Sequence, residues 1–320
     1  MLPTAEEILE RAHVVALPMA VRFRGITTRE ALLIDGPAGW GEFAPFTEYG
    51  PQESAAWLRA GIEAAFEGLP EVEGEVEVNG TVPAVPTEQV EAVLARYPQG
   101  VSTFKIKVAE PGQSLADDTA RLARVHALCP DARLRVDANR AWSVDEACAA
   151  IAAFARIAEL EYVEQPCGSV EELAEVRRRV DTPIAADESI RKASDPYRVA
   201  ELAAADVAVC KVAPLGGVRP LVRISRELGL DITVASALDT AVGMDAGLVA
   251  AKLTGSRAAG LATQNLFVED VAEPRPLVDG RLAVRRTTPD PERLHGLRAA
   301  PERKTWWFQR VRDCIPYIRG

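Results

Sequence analysis

From about residue 76 onward, short apolar runs alternate with longer stretches in which apolar residues recur every three or four positions. The first pattern predicts buried β-strands and the second amphipathic helices. Strands are predicted at 82–85, 104–108, 134–138, 162–164, 184–187, 207–212, 232–236 and 261–264. Helices are predicted between them at 117–128, 143–158, 170–180, 196–203 and 218–228. Ser143 before Glu146 and Ser169 before Glu172 are capping-box signals for two of these starts. Strands alternating with helices over this span predict a parallel β/α architecture, most simply a barrel. A doubly wound sheet would carry a glycine-rich nucleotide loop after its first strand, and none is present.

Residues 1–75 read differently. Ala31–Asp35 and Gly39–Phe43 resemble antiparallel strands joined at the Gly36-Pro37 turn, and 52–66 has helical spacing. This predicts an α+β capping domain over 1–75 and a barrel over 76–265. The Pro- and Arg-rich segment 266–320, with Trp306-Trp307-Phe308, is read as an extension packing back on the capping domain. Tyr49-Gly50 is a candidate for a capping loop that excludes water.

At 320 residues the chain can bury about three quarters of its unfolded surface. Its net charge of −10 and the lack of a Lys/Arg stripe argue against nucleic acid as a partner. No apolar run approaches the roughly 20 residues of a membrane span, and Glu6, Glu7 and Glu10 are unlike a signal peptide's basic start. Five cysteines without a C-x-x-C pair fit a reducing, cytoplasmic setting.

Against that ordinary background, charge on the apolar strands changes the picture. Lys105 and Lys107 lie in Phe-Lys-Ile-Lys-Val, Asp137 in Leu-Arg-Val-Asp-Ala-Asn, and Glu164 in Tyr-Val-Glu-Gln-Pro. Asp187 lies in Ile-Ala-Ala-Asp-Glu-Ser and Lys211 in Val-Ala-Val-Cys-Lys-Val-Ala. An unpaired ion is costly in a buried strand, so a succession of them predicts one shared site. Each falls late in its strand, which points them to the barrel's C-terminal mouth. Three carboxylates without a histidine-rich set suit a hard cation, Mg²⁺ above all. Three unrelated salt bridges are the bland alternative.

Lys105 and Lys107 share a strand face roughly 6–7 Å apart. At an effective dielectric near 20 their ammonium charges would repel by about 2 kcal/mol, enough to leave one neutral as a base. A carboxylate substrate on Mg²⁺ beside a lysine base is set up for proton abstraction next to the carboxylate, the known pattern of enolase-type sites.

Taken together, Lys105-x-Lys107, Asp137-Ala-Asn139, Glu164-Gln-Pro, Asp187-Glu-Ser and Lys211 resemble the enolase superfamily, in its muconate-lactonising subgroup. The resemblance covers nearly the whole chain and implies a modified (β/α)7β TIM barrel with an N-terminal α+β capping domain completed by the C-terminal segment. Within the subgroup, Gly39-Trp-Gly-Glu-Phe-Ala-Pro-Phe and Asn79-Gly-Thr-Val-Pro-Ala most resemble an actinobacterial dehydratase branch. That branch converts 2-succinyl-6-hydroxy-2,4-cyclohexadiene-1-carboxylate in menaquinone biosynthesis.

By that resemblance Asp137, Glu164 and Asp187 ligate Mg²⁺, for which Mn²⁺ may substitute. Lys107 moves the proton in a syn elimination, Lys105 depresses its pKa, and Lys211 stabilises the anionic intermediate from the other face. Asn139 supports the metal or the substrate carboxylate, and Arg24 and Ser236 are further substrate candidates. The nearest rival is an N-acylamino-acid racemase using the two lysines as opposed bases. A dipeptide epimerase would carry Asp-x-Asp where this chain reads Leu261-Ala-Thr-Gln-Asn265. A catalytically silent binding protein is the reading from another class.

Overall fold

The computed structural model describes residues 2–23, 26–97, 100–190 and 195–319. The chain opens with α1 (Ala5–Leu9), whose Thr4 and Glu7 form a reciprocal capping box, and continues into an antiparallel sheet of β1 (Ala12–Phe23), β2 (Ile26–Gly36) and β3 (Gly39–Phe43). β1 is an edge strand, which is why Pro18, lacking an N–H, is tolerated in it. Helix α2 (Pro51–Ile62) packs on this sheet and runs straight into a π-helical turn, Glu63–Glu67.

After β4 (Glu75–Glu77) comes the parallel layer. Its strands are β5 (Gly80–Val82), β6 (Thr103–Lys107), β7 (Arg133–Asp137), β8 (Leu160–Glu164), β9 (Ile184–Ala186), β10 (Val207–Cys210) and β11 (Asp231–Val234), paired in chain order. The crossovers carry α3 (Val90–Leu94), α4 (Leu115–Leu128), α5 (Val144–Phe154), α6 (Val170–Arg179), α7 (Asp195–Glu201) and α8 (Val218–Leu228), followed by α9 (Gly243–Thr254). Ser143 and Ser169 each cap a helix whose third residue is acidic, as the sequence indicates, and Ser114 does the same for α4, which starts at Leu115 rather than at 117.

Two boundaries differ from the sequence reading for identifiable reasons. The first barrel strand is 80–82 rather than 82–85, because Pro83 cannot donate to a ladder. The run 261–264 is not a strand. Parallel bridges Val78–Ala259 and Ala235–Gly260 instead link the first and seventh strands through the residues just before it. The closure is tight, since a Cβ on Gly260 would lie 3.2 Å from that of Ala235.

Side-chain alternation sorts the barrel. Ile106, Leu134, Val136 and Val163 face the helices in a large outer core, while Tyr162, Ala185, Val207, Val209 and Ala235 form a small inner cluster. After α9, β12 (Leu277–Val278) pairs with β13 (Arg281–Ala283), and β13 with β4. α10 (Pro291–Gly296) and α11 (Pro301–Arg319) follow, with α11 lying against α2. Among the described residues no helix is long and apolar enough to cross a membrane.

Trp307 shows what α11 does. It is fully buried, meets Phe43 edge-on at 5.6 Å, and donates its indole N–H to Glu30 at 2.9 Å. Arg310, also buried, donates to the carbonyls of Phe46 and Tyr49 and to the Ser54 hydroxyl. Trp307→Ala should therefore lower stability by about 3–5 kcal/mol in denaturant unfolding. An unchanged midpoint would mean that α11 is not part of the N-terminal core.

Candidate active site

The register of the parallel sheet assembles the site. Lys107 pairs with Asp137, and Asp137 with Glu164, so the last residues of β6, β7 and β8 form one row. Glu164 pairs with Ala185, placing Asp187 two residues higher on the same side, just past the end of β9. Lys211 likewise stands one residue beyond β10, in phase with inward-facing Val207 and Val209. Lys105 belongs to the row below, beside Arg135 and Tyr162. All six charged residues therefore meet at the C-terminal ends of consecutive strands.

The three carboxylates are buried, and each is met by ammonium. Lys105 Nζ lies 2.9 and 3.0 Å from the two oxygens of Glu164 and 3.3 Å from Asp137. Lys107 Nζ lies 2.5 Å from Asp137 and 2.7 Å from Asn139 Oδ1, and Lys211 contacts Asp187. Burial works to lower Lys105, but Glu164 and Asp137 outweigh it and hold the amine well above lysine's ordinary range. The like-charge repulsion expected between the two lysines is thus not what governs Lys105. Burial would raise Asp137, yet Lys107 and Lys105 hold it well below the usual carboxylate range. Glu164 is pushed up to about 7, by burial and then by Asp137, with Lys105 opposing.

That last shift, set first by burial and then by the neighbouring Asp137, bears on the metal. Among the described residues no three carboxylate, histidine or cysteine groups converge at metal-ligand spacing, and each carboxylate is instead met by a lysine ammonium. The donor set nevertheless fits a hard cation: three buried carboxylates, oxygen only, on adjacent strands, repelling one another.

The supporting residues are strained in a pattern. Ala109, Asn139, Arg140, Gln165 and Leu238 all have positive φ, and all follow the mouth-facing ends of strands. Asn139 donates its backbone N–H to Asp137 at 3.0 Å while its side chain meets Lys107. Gln165 accepts from the backbone N–H groups of Asp187 and Ser189 and so aims the third carboxylate. Arg121, buried on α4, donates to the Lys107 carbonyl at 2.9 Å. Sequence reasoning gave Gln165 and Arg121 no role, although Gln165 stands inside the quoted Glu-Gln-Pro.

Ser236 is less directly engaged. Its Oγ accepts the Asp239 N–H at 3.0 Å and its own N–H bonds Gly260, fixing the turn after β11. Arg24 lies outside the described residues. Sequence reasoning missed what borders this turn: buried Arg29 donates to the carbonyls of Leu238, Ala237 and Ala44, and Glu42 accepts the Thr240 N–H at 2.9 Å.

Glu42 and Asp239 are neighbours, and both carboxyls are raised. For Glu42 burial leads, Asp239 follows, and the group reaches about 7 against 4.5. A carboxyl raised on folding binds more protons in the native state. Its contribution is therefore greatest at low pH and lost as pH climbs from about 4.5 through about 7. Asp239→Asn should flatten that part of the stability–pH curve measured by chemical unfolding. An identical slope in the variant would show that the pair does not interact.

Comparison with known proteins finds one family over both parts of the chain. Residues 14–65 match the family model described as enolase N-terminal domain-like, and residues 88–303 match enolase C-terminal domain-like. The o-succinylbenzoate synthase of Mycolicibacterium smegmatis is 57% identical over 320 residues, 99% of each chain. That of Mycobacterium marinum is 56% identical over 318 residues, covering 98% of this chain and 96% of the relative. The muconate lactonizing enzyme of Pseudomonas putida superposes with a TM-score of 0.74 at 20% identity, over 90% of this chain and 98% of that one.

Proposed function

We propose, for a chain that belongs to the enolase superfamily and within it to the o-succinylbenzoate synthase family, that it forms o-succinylbenzoate by dehydrating 2-succinyl-6-hydroxy-2,4-cyclohexadiene-1-carboxylate. The observation that carries the reading is the row Lys107–Asp137–Glu164, with Lys105 below it and Asp187 and Lys211 beyond. We take 1–75 as the capping domain, 76–265 as the barrel and 266–320 as the returning segment.

Enzymes of this superfamily generally use a divalent metal. Asp137, Glu164 and Asp187 would hold Mg²⁺, or Mn²⁺ in its place, and Asn139 would support them. A bound cation would supply positive charge where the substrate carboxylate gathers electrons. The neutral Lys107 amine takes the proton from the carbon beside that carboxylate, the electron pair passes onto the carboxylate as an enediolate, and it returns to form the ring double bond as the C–OH bond breaks. The same ammonium then delivers its proton to the departing hydroxyl, which leaves as water on the same face. Lys105, held as a cation between Glu164 and Asp137, keeps those two carboxylates in place from the row below, beside Lys107. Lys211 faces the ring from the opposite side and stabilises negative charge there. Arg24 and Ser236 are substrate contacts in this reading.

A racemase working on N-acylamino acids would also use Lys107 and Lys211, but as two opposed bases, and the chemistry separates the readings. With the cyclohexadiene acid as substrate, Lys107→Ala should abolish product while Lys211→Ala should only slow it. Racemisation should stop in both. Rapid racemisation by the wild type without any dehydration would overturn the assignment.

The metal reading is tested separately. Asp137→Asn removes one negative charge at nearly constant volume, and turnover should fall by about a thousandfold or more while the circular dichroism spectrum is kept. Chelation should silence the wild type and added Mg²⁺ should restore it. Full turnover in excess chelator would eliminate the metal.

A further inference from the structure

Lys211 is the one proposed acid–base group whose strand ends before it. It opens a seven-residue connection, Lys211-Val-Ala-Pro-Leu-Gly-Gly, that leads into α8 at Val218. The connection folds on itself, with Val212's carbonyl accepting from Leu215 and Gly217 at 3.2 and 3.1 Å. Its far end is anchored by the capping domain. Glu63, 1% exposed, accepts the backbone N–H of Val218 at 2.5 Å and that of Arg219 at 3.1 Å, and pairs with the Arg219 guanidinium at 3.1 Å. No side chain of α8's own N-cap residue does this work, since that residue is Gly217. The glycine is required: at φ 132° a Cβ would stand 2.2 Å from Glu63 Oε2.

Two further observations make this arrangement more than a helix cap. Glu63 is the first residue of the π-helical turn that extends α2, a rare local geometry often retained at functional places. Ala213, two residues after Lys211, packs into the capping-domain core with Ala237 and Leu238. The connection is therefore fixed to the capping domain in its middle and at its end, while Lys211 at its start meets Asp187.

We propose that Glu63 is a positioning residue for Lys211, acting across the interface between the two domains. The buried carboxylate pins the end of the connection, and the connection holds the Lys211 ammonium in the plane where charge develops on the substrate. The inference rests on the reading of Lys211 given above. Because Lys211 acts on the transition state, loosening it should lower kcat and leave KM nearly unchanged.

The test is a double-variant cycle on the dehydration of the cyclohexadiene acid. Glu63→Gln keeps the side-chain volume but can no longer accept from both N–H groups with full charge. It should lower kcat by about tenfold with less than about a twofold change in KM. In a Lys211→Ala background the same substitution should cost less than about twofold further, because residues acting as a unit are not additive. A full tenfold loss in both backgrounds would overturn the proposal, as it would mark Glu63 as merely structural. Crystal structures give a second readout that needs no activity: the Lys211 ammonium should leave Asp187 in Glu63→Gln, and an unmoved lysine would also overturn it. Should Glu63→Gln not fold, Glu63→Asp, which keeps the charge and withdraws it by one methylene, carries both comparisons. A wild type that makes no o-succinylbenzoate would strike the parent reading instead, while additivity in an active enzyme strikes Glu63 alone.

Discussion

Charge buried at the mouth of a barrel must be neutralised there, because water cannot do it. At the ends of consecutive strands Lys105 and Lys107 meet Asp137 and Glu164, and Lys211 meets Asp187. Much of the surrounding structure serves that constraint. The in-register row of β6, β7 and β8 sets the spacing, and Gln165 and Asn139 accept positive φ so that their polar atoms can reach the acids. Arg121 ties down the Lys107 carbonyl from behind.

How much of this was legible in the sequence depends on where the stabilising partner lies. Lys105, Lys107, Asp137 and Glu164 stood out because each interrupts an apolar run, and a buried strand declares such an intrusion. Asp187 and Lys211 were legible although their strands end one residue earlier, since the inward phase continues past the last ladder bond. The barrel's closing step was misplaced. Leu261 to Gln264 has the apolar look of a strand, but the bridges fall on Ala259 and Gly260, where close approach matters more than side-chain bulk. Strand β1 went unnoticed because Pro18 argues against a strand until one knows that it lies at an edge.

The residues that join the two domains were not legible at all. Glu42, Glu63 and Arg29 are ordinary charges in ordinary surroundings when read locally. Their partners lie 198, 155 and 209 residues away. Nothing in local periodicity marks a carboxylate as the cap of someone else's helix. The matching absences are more informative. Gly217 and Gly243 sit where a Cβ would strike Glu63 and Glu42, so each buried glutamate has a glycine facing it across the interface.

The joining of α11 to the N-terminal layer bears on how the chain is made. Arg310 reaches Ser54 across 256 residues, and Trp307 fills the core beneath Phe43. Every barrel strand is translated between those two contributions. On the ribosome, the layer of β1–β3 and α2 therefore lacks the Trp307 part of its core until α11 is made. The layer synthesised first is thus completed last, and the growing chain carries an unfinished apolar surface until its last long helix emerges.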